Sequence, residues 1–177
     1  MIDTMTTDEA LKQANAIIDE WENEPLYEFK RSHLNGKYGT VSGFFASYIL
    51  KADEKGCINE PGFLNERVPS NSRPIFLTCD HDFHQVIGIV RRIEDRKVGV
   101  FMIADFLSTP RAQEVRKLVQ AGAVRQMSCI VDMEIDDTRK VILPDGTEAT
   151  QRRNCDLIEI TLTDKPAQPC SIITDFT

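Results

Sequence analysis

The stretch that decides the fold class is Arg125–Met133, RQMSCIVDM, in which apolar and polar residues alternate. This period of two is that of a β-strand with one face in the core and the other turned away from it. The apolar face would carry Met127, Cys129, Val131 and Met133. The other face would carry Gln126, Ser128, Ile130 and Asp132. One-sided strands of this kind are typical of antiparallel sheets.

Further strand-like segments, rich in β-branched and aromatic residues, follow and precede this one. They are Tyr38–Leu50, Pro74–Cys79, Val86–Arg91, Lys97–Phe106, Val141–Leu143, Cys155–Leu162 and Ser171–Thr174. Polar turns are expected at Asp53–Gly56, Glu94–Arg96 and Pro144–Gly146. Because strands outnumber helices, the sequence predicts a mainly β, α+β fold, a closed or nearly closed antiparallel β-barrel with peripheral helices. An open α+β sheet is the alternative.

One helix is expected between the strands, from about Pro110 to Ala121. Thr109 is the candidate N-cap, Pro110 occupies the first helical position, and Gly122 follows the end, which is the usual order of these residues around a helix. Its apolar face would carry Ala112, Val115, Leu118 and Val119.

A second helix is expected in an acidic N-terminal arm. Residues 1–35 hold three Lys/Arg and eight Asp/Glu, a charge of −5 out of the −7 of the whole chain. Thr6 and Glu9 form a capping box, and Pro25 ends the helix. Its apolar stripe, which we expect to dock on the domain or on a partner, is Leu11, Ile17, Ile18 and Trp21. We therefore divide the chain into an arm, 1–35, and a domain, 36–177.

Composition restricts the classes of function. The chain has 177 residues and a net charge of −7, with a pI near 5.0. Such a balance argues against a protein that mainly binds nucleic acid or an anionic membrane. The five cysteines include no C-x-x-C pair, and the sequence shows no signal-peptide pattern, so we expect free thiols in a reducing compartment. No apolar run is long enough to span a membrane, which predicts a soluble protein.

Three residues have complementary chemistry. His81 follows the strand Pro74–Cys79 and has a carboxylate on either side, so it could act as a base. Ser128 could be presented as a nucleophile on its strand, and Glu159 could orient a histidine. On pattern alone, each residue has a commoner explanation. His81 could lie in a polar surface loop, Ser128 could be a small polar residue of a half-exposed strand, and Glu159 could lie on a solvated strand face.

A metal site is the alternative around the same histidine. The zinc-competent residues there are Cys79, His81 and His84, with Asp80 or Asp82. Their spacing matches no established ligand motif, and no second cluster supplies a fourth ligand. The sequence therefore favours a site without a metal.

Four blocks of sequence, taken together, resemble the prohead serine proteases of tailed phages, capsid-maturation enzymes with a fold similar to the herpesvirus assemblins. The blocks are Gly39–Phe45 with Glu60–Phe63, Pro74–Leu77 with His81-Asp82 and Ile87-Gly88, Val98–Phe101 with Gln126–Ser128, and Leu157–Leu162 with Lys165–Ala167. They occur in the order of the family and span most of the chain, from about Tyr38 to Thr174.

The resemblance implies an assemblin-like serine endopeptidase that needs no cofactor. His81 would be the general base, Ser128 the nucleophile and Glu159 the third member of the triad. The herpesvirus enzymes place a second histidine late in the chain, but no histidine follows His84 here. A carboxylate must therefore take that role, with Asp82 and Asp156 as alternatives to Glu159.

The resemblance also implies where and on what the enzyme acts. Its substrates would be the scaffold and major capsid proteins of the phage, cut inside the prohead in the host cytoplasm, and self-cleavage is expected. A homo-oligomer is compatible with this interpretation. The alternative function is an inactive, protease-like scaffold component of the capsid.

Arg152 and Arg153 could contribute to an oxyanion hole, although two exposed loop arginines are the commoner interpretation.

Overall fold

The computed structural model describes residues 26–29, 34–64, 74–168 and 170–177 of the chain. The strands of its large sheet are β1 Tyr27–Glu28, β2 Thr40–Ser47, β4 Ile75–Cys79, β5 Asp82–Arg96, β6 Gly99–Phe106, β7 Gln126–Asp132, β10 Asp156–Thr163 and β11 Ile173–Phe176. Those of its small sheet are β3 Cys57–Asn59, β8 Thr138–Ile142 and β9 Glu148–Arg152. The predicted N-terminal helix lies outside the described residues.

The order of strands in the large sheet is β11-β2-β6-β5-β4-β10-β7, and β1 pairs with β5. Its pairs are antiparallel except for β4 and β10, which run parallel. The prediction of a wholly antiparallel arrangement is therefore wrong at this pair. Parallel neighbours need a long crossover, and here the chain builds β5 to β9 and the helix before it returns to β4.

The two end strands of the large sheet, β7 and β11, approach each other without forming a full ladder. An isolated bridge joins Gln126 to Ile172, and the Met127 N–H donates to the Ser171 carbonyl at 3.1 Å. The described strands thus form a curled half-barrel. The mainly β class with a peripheral helix is confirmed, and full closure of the barrel is not.

The helix, α1, spans Pro110–Gln120 and begins and ends as predicted. Thr109 Oγ1 accepts from the Ala112 N–H at 3.3 Å, and Gly122 follows with a φ of +70°. Its buried residues Ala112, Val115 and Val119 pack into the core of the large sheet. Leu118 is exposed, because it lies at the edge of the helix face formed by these buried residues. Its predicted place in the apolar face is therefore wrong.

The prediction of a turn at Glu94–Arg96 is wrong, because these residues belong to β5. Glu94 is buried opposite Phe101, and its carboxylate is bound by the Nε of Arg92 and by the Arg96 guanidinium. The strand can continue because these charges satisfy one another. The turn follows at residues 97 and 98.

Alternation along the sequence of β10 predicts Ile158, Ile160 and Leu162 on the apolar face and Leu157, Glu159 and Thr161 on the other, but a β-bulge near the start of the strand breaks this pattern. Leu157 pairs with Val131 and Glu159 with Ile130, so Ile158 is the extra residue. It is 49% exposed, whereas Leu157 is buried, the reverse of the predicted faces. A bulge shifts the side chains that follow it by one position, and this shift places Glu159.

Among the described residues, no helix has the length and apolar character needed to cross a bilayer.

Candidate active site

Three hydroxyl side chains form a row across β4, β10 and β7. Thr161 is the register partner of Thr78 on one side and of Ser128 on the other. Residues directly opposite each other on neighbouring strands share a face of the sheet. The three side chains therefore lie side by side, one strand spacing apart, roughly 4.8 Å.

Glu159 lies two residues before Thr161, so both side chains are on this face of β10. Its side chain is 2% exposed, yet both carboxylate oxygens have partners. Oε1 accepts from the Thr78 hydroxyl, and Oε2 lies 3.0 Å from Nδ1 of His81. A buried carboxylate needs such partners because its desolvation is otherwise costly. The solvated strand face considered for Glu159 from the sequence is wrong.

His81 occupies a tight turn between β4 and β5. Cys79 pairs with Asp82 across this turn, and the φ angles of Asp80 and His81 are +52° and +59°. Positive φ at both central residues is the pattern of a type I′ hairpin turn, which usually requires Asn or Gly. Asp80 and His81 therefore hold a backbone conformation that is uncommon for residues other than glycine.

Two hydrogen bonds from the backbone of this turn hold it on β10. The Asp80 N–H donates to the Leu162 carbonyl at 3.0 Å. The His81 N–H donates to Thr161 Oγ1 at 3.1 Å. The imidazole, which is 35% exposed, is thus fixed through both its backbone and its Nδ1. Strain that the surroundings maintain in this way is characteristic of functional sites.

Ser128 lies on β7 at the end of the hydroxyl row and is 4% exposed. Its side chain makes no hydrogen bond within the described part of the chain, and no His81–Ser128 bond is formed there. Catalytic hydrogen bonds are often long in the absence of substrate. Since Glu159 occupies Nδ1, the nitrogen of His81 that remains for Ser128 is Nε2.

The structure separates Glu159 from the two alternative carboxylates. The carboxylate of Asp82 accepts from the His84 N–H at 2.9 Å and from Gln85 Nε2 at 2.7 Å, and these bonds, that from Gln85 first, lower its pKa. Asp156 pairs with Asp132 at the opposite end of the β10–β7 ladder from Thr163 and Gln126. Glu159 is the one that contacts His81.

A cleft of about 130 Å³ opens beside Ser128, between β7, the small sheet and the segment after β10. We call it the Ser128 cleft. Its lining residues are Phe45, Asp53, Lys55, Cys57, Asn59, Phe63, Ser128, Cys129, Val131, Met133, Arg152, Ala167 and Gln168. Burial raises the pKa of the Cys129 thiol to about 12, so this neighbour of Ser128 is protonated at neutral pH.

Arg152 lies at the end of β9, where its side chain lines the Ser128 cleft. It donates to Asp53 Oδ2 at 2.6 Å and to Asn59 Oδ1 at 3.2 Å. The interpretation of Arg152 as an exposed loop residue is therefore wrong. Arg153 follows the strand and lies 3.8 Å from Glu60.

Cys79, one of the zinc-competent residues near His81, contacts the side chains of Asp80 and Arg111. The thiol of Cys79 lies 3.7 Å from Asp80 Oδ2 and 3.7 Å from Arg111 Nη2, and burial, followed by the charge of Asp80, raises its pKa. In the ranges that the structure describes, no three His, Cys, Asp or Glu residues form a group that could hold a metal ion.

Comparison with known proteins identifies the family of the chain. The profile of the Caudovirus prohead serine proteases matches residues 31–176. The chain belongs to that family. No curated protein sequence matches it. Members of that family are serine proteases.

Among solved structures, a protease of Kaposi's sarcoma-associated herpesvirus in complex with a hexapeptide phosphonate inhibitor has 11% sequence identity and a TM-score of 0.55. That alignment covers 78% of this chain and 64% of the herpesvirus protease. A second structure of the same viral protease, with an allosteric inhibitor, has 12% identity, a TM-score of 0.48 and coverages of 78% and 77%. The first similarity establishes that the chain has an assemblin-like fold.

The residues that support the three candidates could not be recognised in the sequence. Thr78 and Thr161 hold Glu159 and the histidine turn, and Gln168 lines the Ser128 cleft. The only signal in the sequence was a threonine two residues from Glu159 and another three residues before His81. Neither spacing has meaning until the parallel pairing of β4 with β10 is known.

Proposed function

We propose that this member of the family is a serine endopeptidase in which Ser128 is the nucleophile, His81 the general base and Glu159 the residue that orients His81. The observation that carries the proposal is the 3.0 Å contact between Nδ1 of His81 and the buried carboxylate of Glu159. Ser128 lies on the neighbouring strand β7, opposite Thr161, and its hydroxyl has no hydrogen-bond partner among the described residues. Burial of Glu159 keeps water from competing for that contact.

The proton positions follow from the donor and acceptor types. A carboxylate can only accept, so Nδ1 of His81 carries a proton and Nε2 is left as the base. Nε2 takes the proton of Ser128 as Oγ attacks the scissile carbonyl, and then returns it to the leaving amine. Water hydrolyses the acyl-enzyme by the same route, and Glu159 stabilises the imidazolium in each step.

The substrates that family membership suggests are the scaffold and major capsid proteins of the phage, together with the enzyme itself. Cleavage would take place inside the assembling prohead, in the host cytoplasm. The acidic arm, 1–35, would lie ahead of the protease domain, 36–177. These assignments rest on the family and not on a partner seen in the structure.

A covalent probe tests the nucleophile directly. We expect a peptidyl phosphonate, an electrophile that reacts with activated serines, to label the protein once, and mass spectrometry of its peptides to locate the adduct on Ser128. His81→Ala should prevent labelling because the serine then lacks its base. Labelling elsewhere, or equal labelling of the His81 variant, would contradict the proposal and favour an inactive scaffold component.

Thr78 should matter to the reaction through Glu159. We expect Thr78→Val to lower kcat/KM by roughly 10- to 100-fold, because a carboxylate that has lost one of its two bonds no longer holds the imidazole in one orientation. Thr78→Ser, which keeps the hydroxyl, should recover most of the rate. Thr163→Val is the matched control, since Thr163 is a buried threonine on the same face of β10 that bonds the Lys165 N–H instead.

Removal of metal ions decides the alternative of a metal-dependent hydrolase. We expect cleavage after dialysis against a chelator to stay within about two-fold of the untreated rate, because a serine mechanism needs no metal-bound water. The measurement is the rate before chelation, after it, and after zinc is restored. Loss of cleavage on chelation with recovery on adding zinc would reverse the assignment.

A further inference from the structure

The side chain of Gln168 lines the Ser128 cleft and is anchored there at one end. It is 6% exposed. Its Oε1 accepts from the Ser47 N–H at 2.8 Å and from Asn59 Nδ2 at 3.1 Å. A backbone N–H can only donate, so the amide atom facing Ser47 must be the oxygen. This fixes the orientation of the amide and leaves its Nε2 on the other side.

The Nε2 group of Gln168 is buried and has no hydrogen-bond partner among the described residues. A second donor on the lining of the same cleft, the Nε of Arg152, is buried and unpartnered as well. Buried donors are nearly always satisfied in folded proteins. Two unsatisfied donors on one small cleft, beside the proposed nucleophile, point to an acceptor that arrives with a ligand.

The remaining lining defines the chemistry of that ligand. Most of it is apolar, from Phe45, Phe63, Val131 and other residues of the cleft. Its ionic groups are Asp53, Lys55 and Arg152, a net charge of +1. A cleft of about 130 Å³ holds a single side chain, with an apolar stem against these walls and an acceptor oxygen at its tip.

We propose that the Ser128 cleft binds the substrate side chain next to the scissile bond and selects one that ends in an acceptor oxygen, a carboxylate or a carboxamide. Gln168 Nε2 is the specificity-determining donor, and Arg152 supports it. The excess positive charge makes a carboxylate the better of the two ligands. This inference rests on the proposed function, because it takes Ser128 as the reacting group.

The test compares three synthetic peptides that differ only at the residue before the cleaved bond, which carries Glu, Gln or Met. The other positions of these peptides carry the residues that the wild-type protein prefers when it cleaves a randomised peptide library. Met matches Gln and Glu in length but lacks their oxygen. We expect kcat/KM for the Glu and Gln peptides to exceed that for the Met peptide by about ten-fold or more, since a site built around a hydrogen bond rejects analogues that lack it.

Gln168→Glu tests the donor role of Gln168 Nε2 most directly. It keeps the oxygen that Ser47 and Asn59 need and replaces the free donor with an acceptor. We expect it to reduce the ratio of Glu to Met cleavage by about ten-fold or more, through repulsion of the substrate oxygen. Gln151→Glu adds the same charge on β9 outside the cleft, where Gln151 bonds Arg139, and should keep the wild-type ratio.

The outcomes separate the two proposals. Cleavage that depends on Ser128 but shows no preference for Glu and Gln over Met in the wild type overturns the inference and leaves the proposed function standing. An equal loss for all three peptides in Gln168→Glu also overturns it, since the residue then acts only on the fold of the site. If no cleavage depends on Ser128, the proposed function fails and this inference fails with it.

Discussion

Ser128→Ala is expected to lower kcat/KM for peptide cleavage by roughly a million-fold, to the level that substrate binding alone supports. In the proposed mechanism Ser128 Oγ attacks the scissile carbonyl, and an alanine side chain has no atom that can do so. The nearest thiol in sequence, Cys129, stays protonated because burial raises its pKa to about 12, and a thiol is a poor nucleophile compared with its thiolate.

The same substitution should leave the stability of the fold unchanged. The hydroxyl of Ser128 has no hydrogen-bond partner among the described residues, so its removal breaks no bond. Truncation of a hydroxyl that bonds no other group of the fold leaves no partner unsatisfied. We therefore expect a shift in the free energy of unfolding within about 0.5 kcal/mol, measured by denaturant titration.

Cleavage is measured by mass spectrometry of the protein and of the phage scaffold protein, its proposed substrate, after incubation. The control is Ser42→Ala, which removes a partly exposed hydroxyl from β2 and should cleave at the wild-type rate. An alanine variant at 128 that is folded and still cleaves would remove Ser128 from the mechanism. An alanine variant that is inactive because it is unfolded would show instead that the hydroxyl has a structural role.

Much of the fold could be predicted because its local patterns are strong. The helix α1 was predictable to within a residue, since Thr109, Pro110 and Gly122 are each favoured at their positions for local reasons. The strand that carries Ser128 was predictable from its alternation. Its observed bounds, Gln126–Asp132, differ by one residue at either end.

What could not be predicted depends on pairing between distant strands. The β-bulge in β10 exposes Ile158 and buries Leu157, and no property of those two residues requires it. The bulge is set by the pairing with β7: Leu157 and Glu159 pair with the consecutive residues Val131 and Ile130, so Ile158 has no partner on β7. Similarly, Glu94 looked like part of a turn because its arginine partners could not be recognised before the strand was formed.

The three candidate residues were suggested by a family resemblance, and the structure adds a physical reason for the contact between two of them, His81 and Glu159. His81 and Glu159 meet because the parallel pair of β4 with β10 places Thr78 opposite Thr161. The sequence contains no sign that two strands so far apart in the chain run parallel. Their contact could therefore be proposed by analogy alone, while Thr78 could not be proposed at all.

Glu159→Gln is expected to lower kcat/KM by roughly 10³- to 10⁴-fold at neutral pH, because it removes the charge that favours the protonated imidazole and the bond that selects its tautomer. The amide of glutamine can face His81 with either its oxygen or its nitrogen. If the nitrogen faces Nδ1, the Thr78 hydroxyl still donates to the amide oxygen, and Nε2 of His81 then carries the proton. A histidine in that tautomer cannot accept the proton of Ser128.

The controls are the two other carboxylates that could have been the third member. Asp82→Asn and Asp156→Asn should each stay within about three-fold of wild type, because neither contacts His81 and surface charges act weakly across water. The three variants are compared by kcat/KM on one peptide, with circular dichroism to confirm folding. If Asp82→Asn is the variant that loses activity and Glu159→Gln retains it, Asp82 orients the histidine, and the buried Glu159–Thr78 pair serves only to hold the parallel strands together.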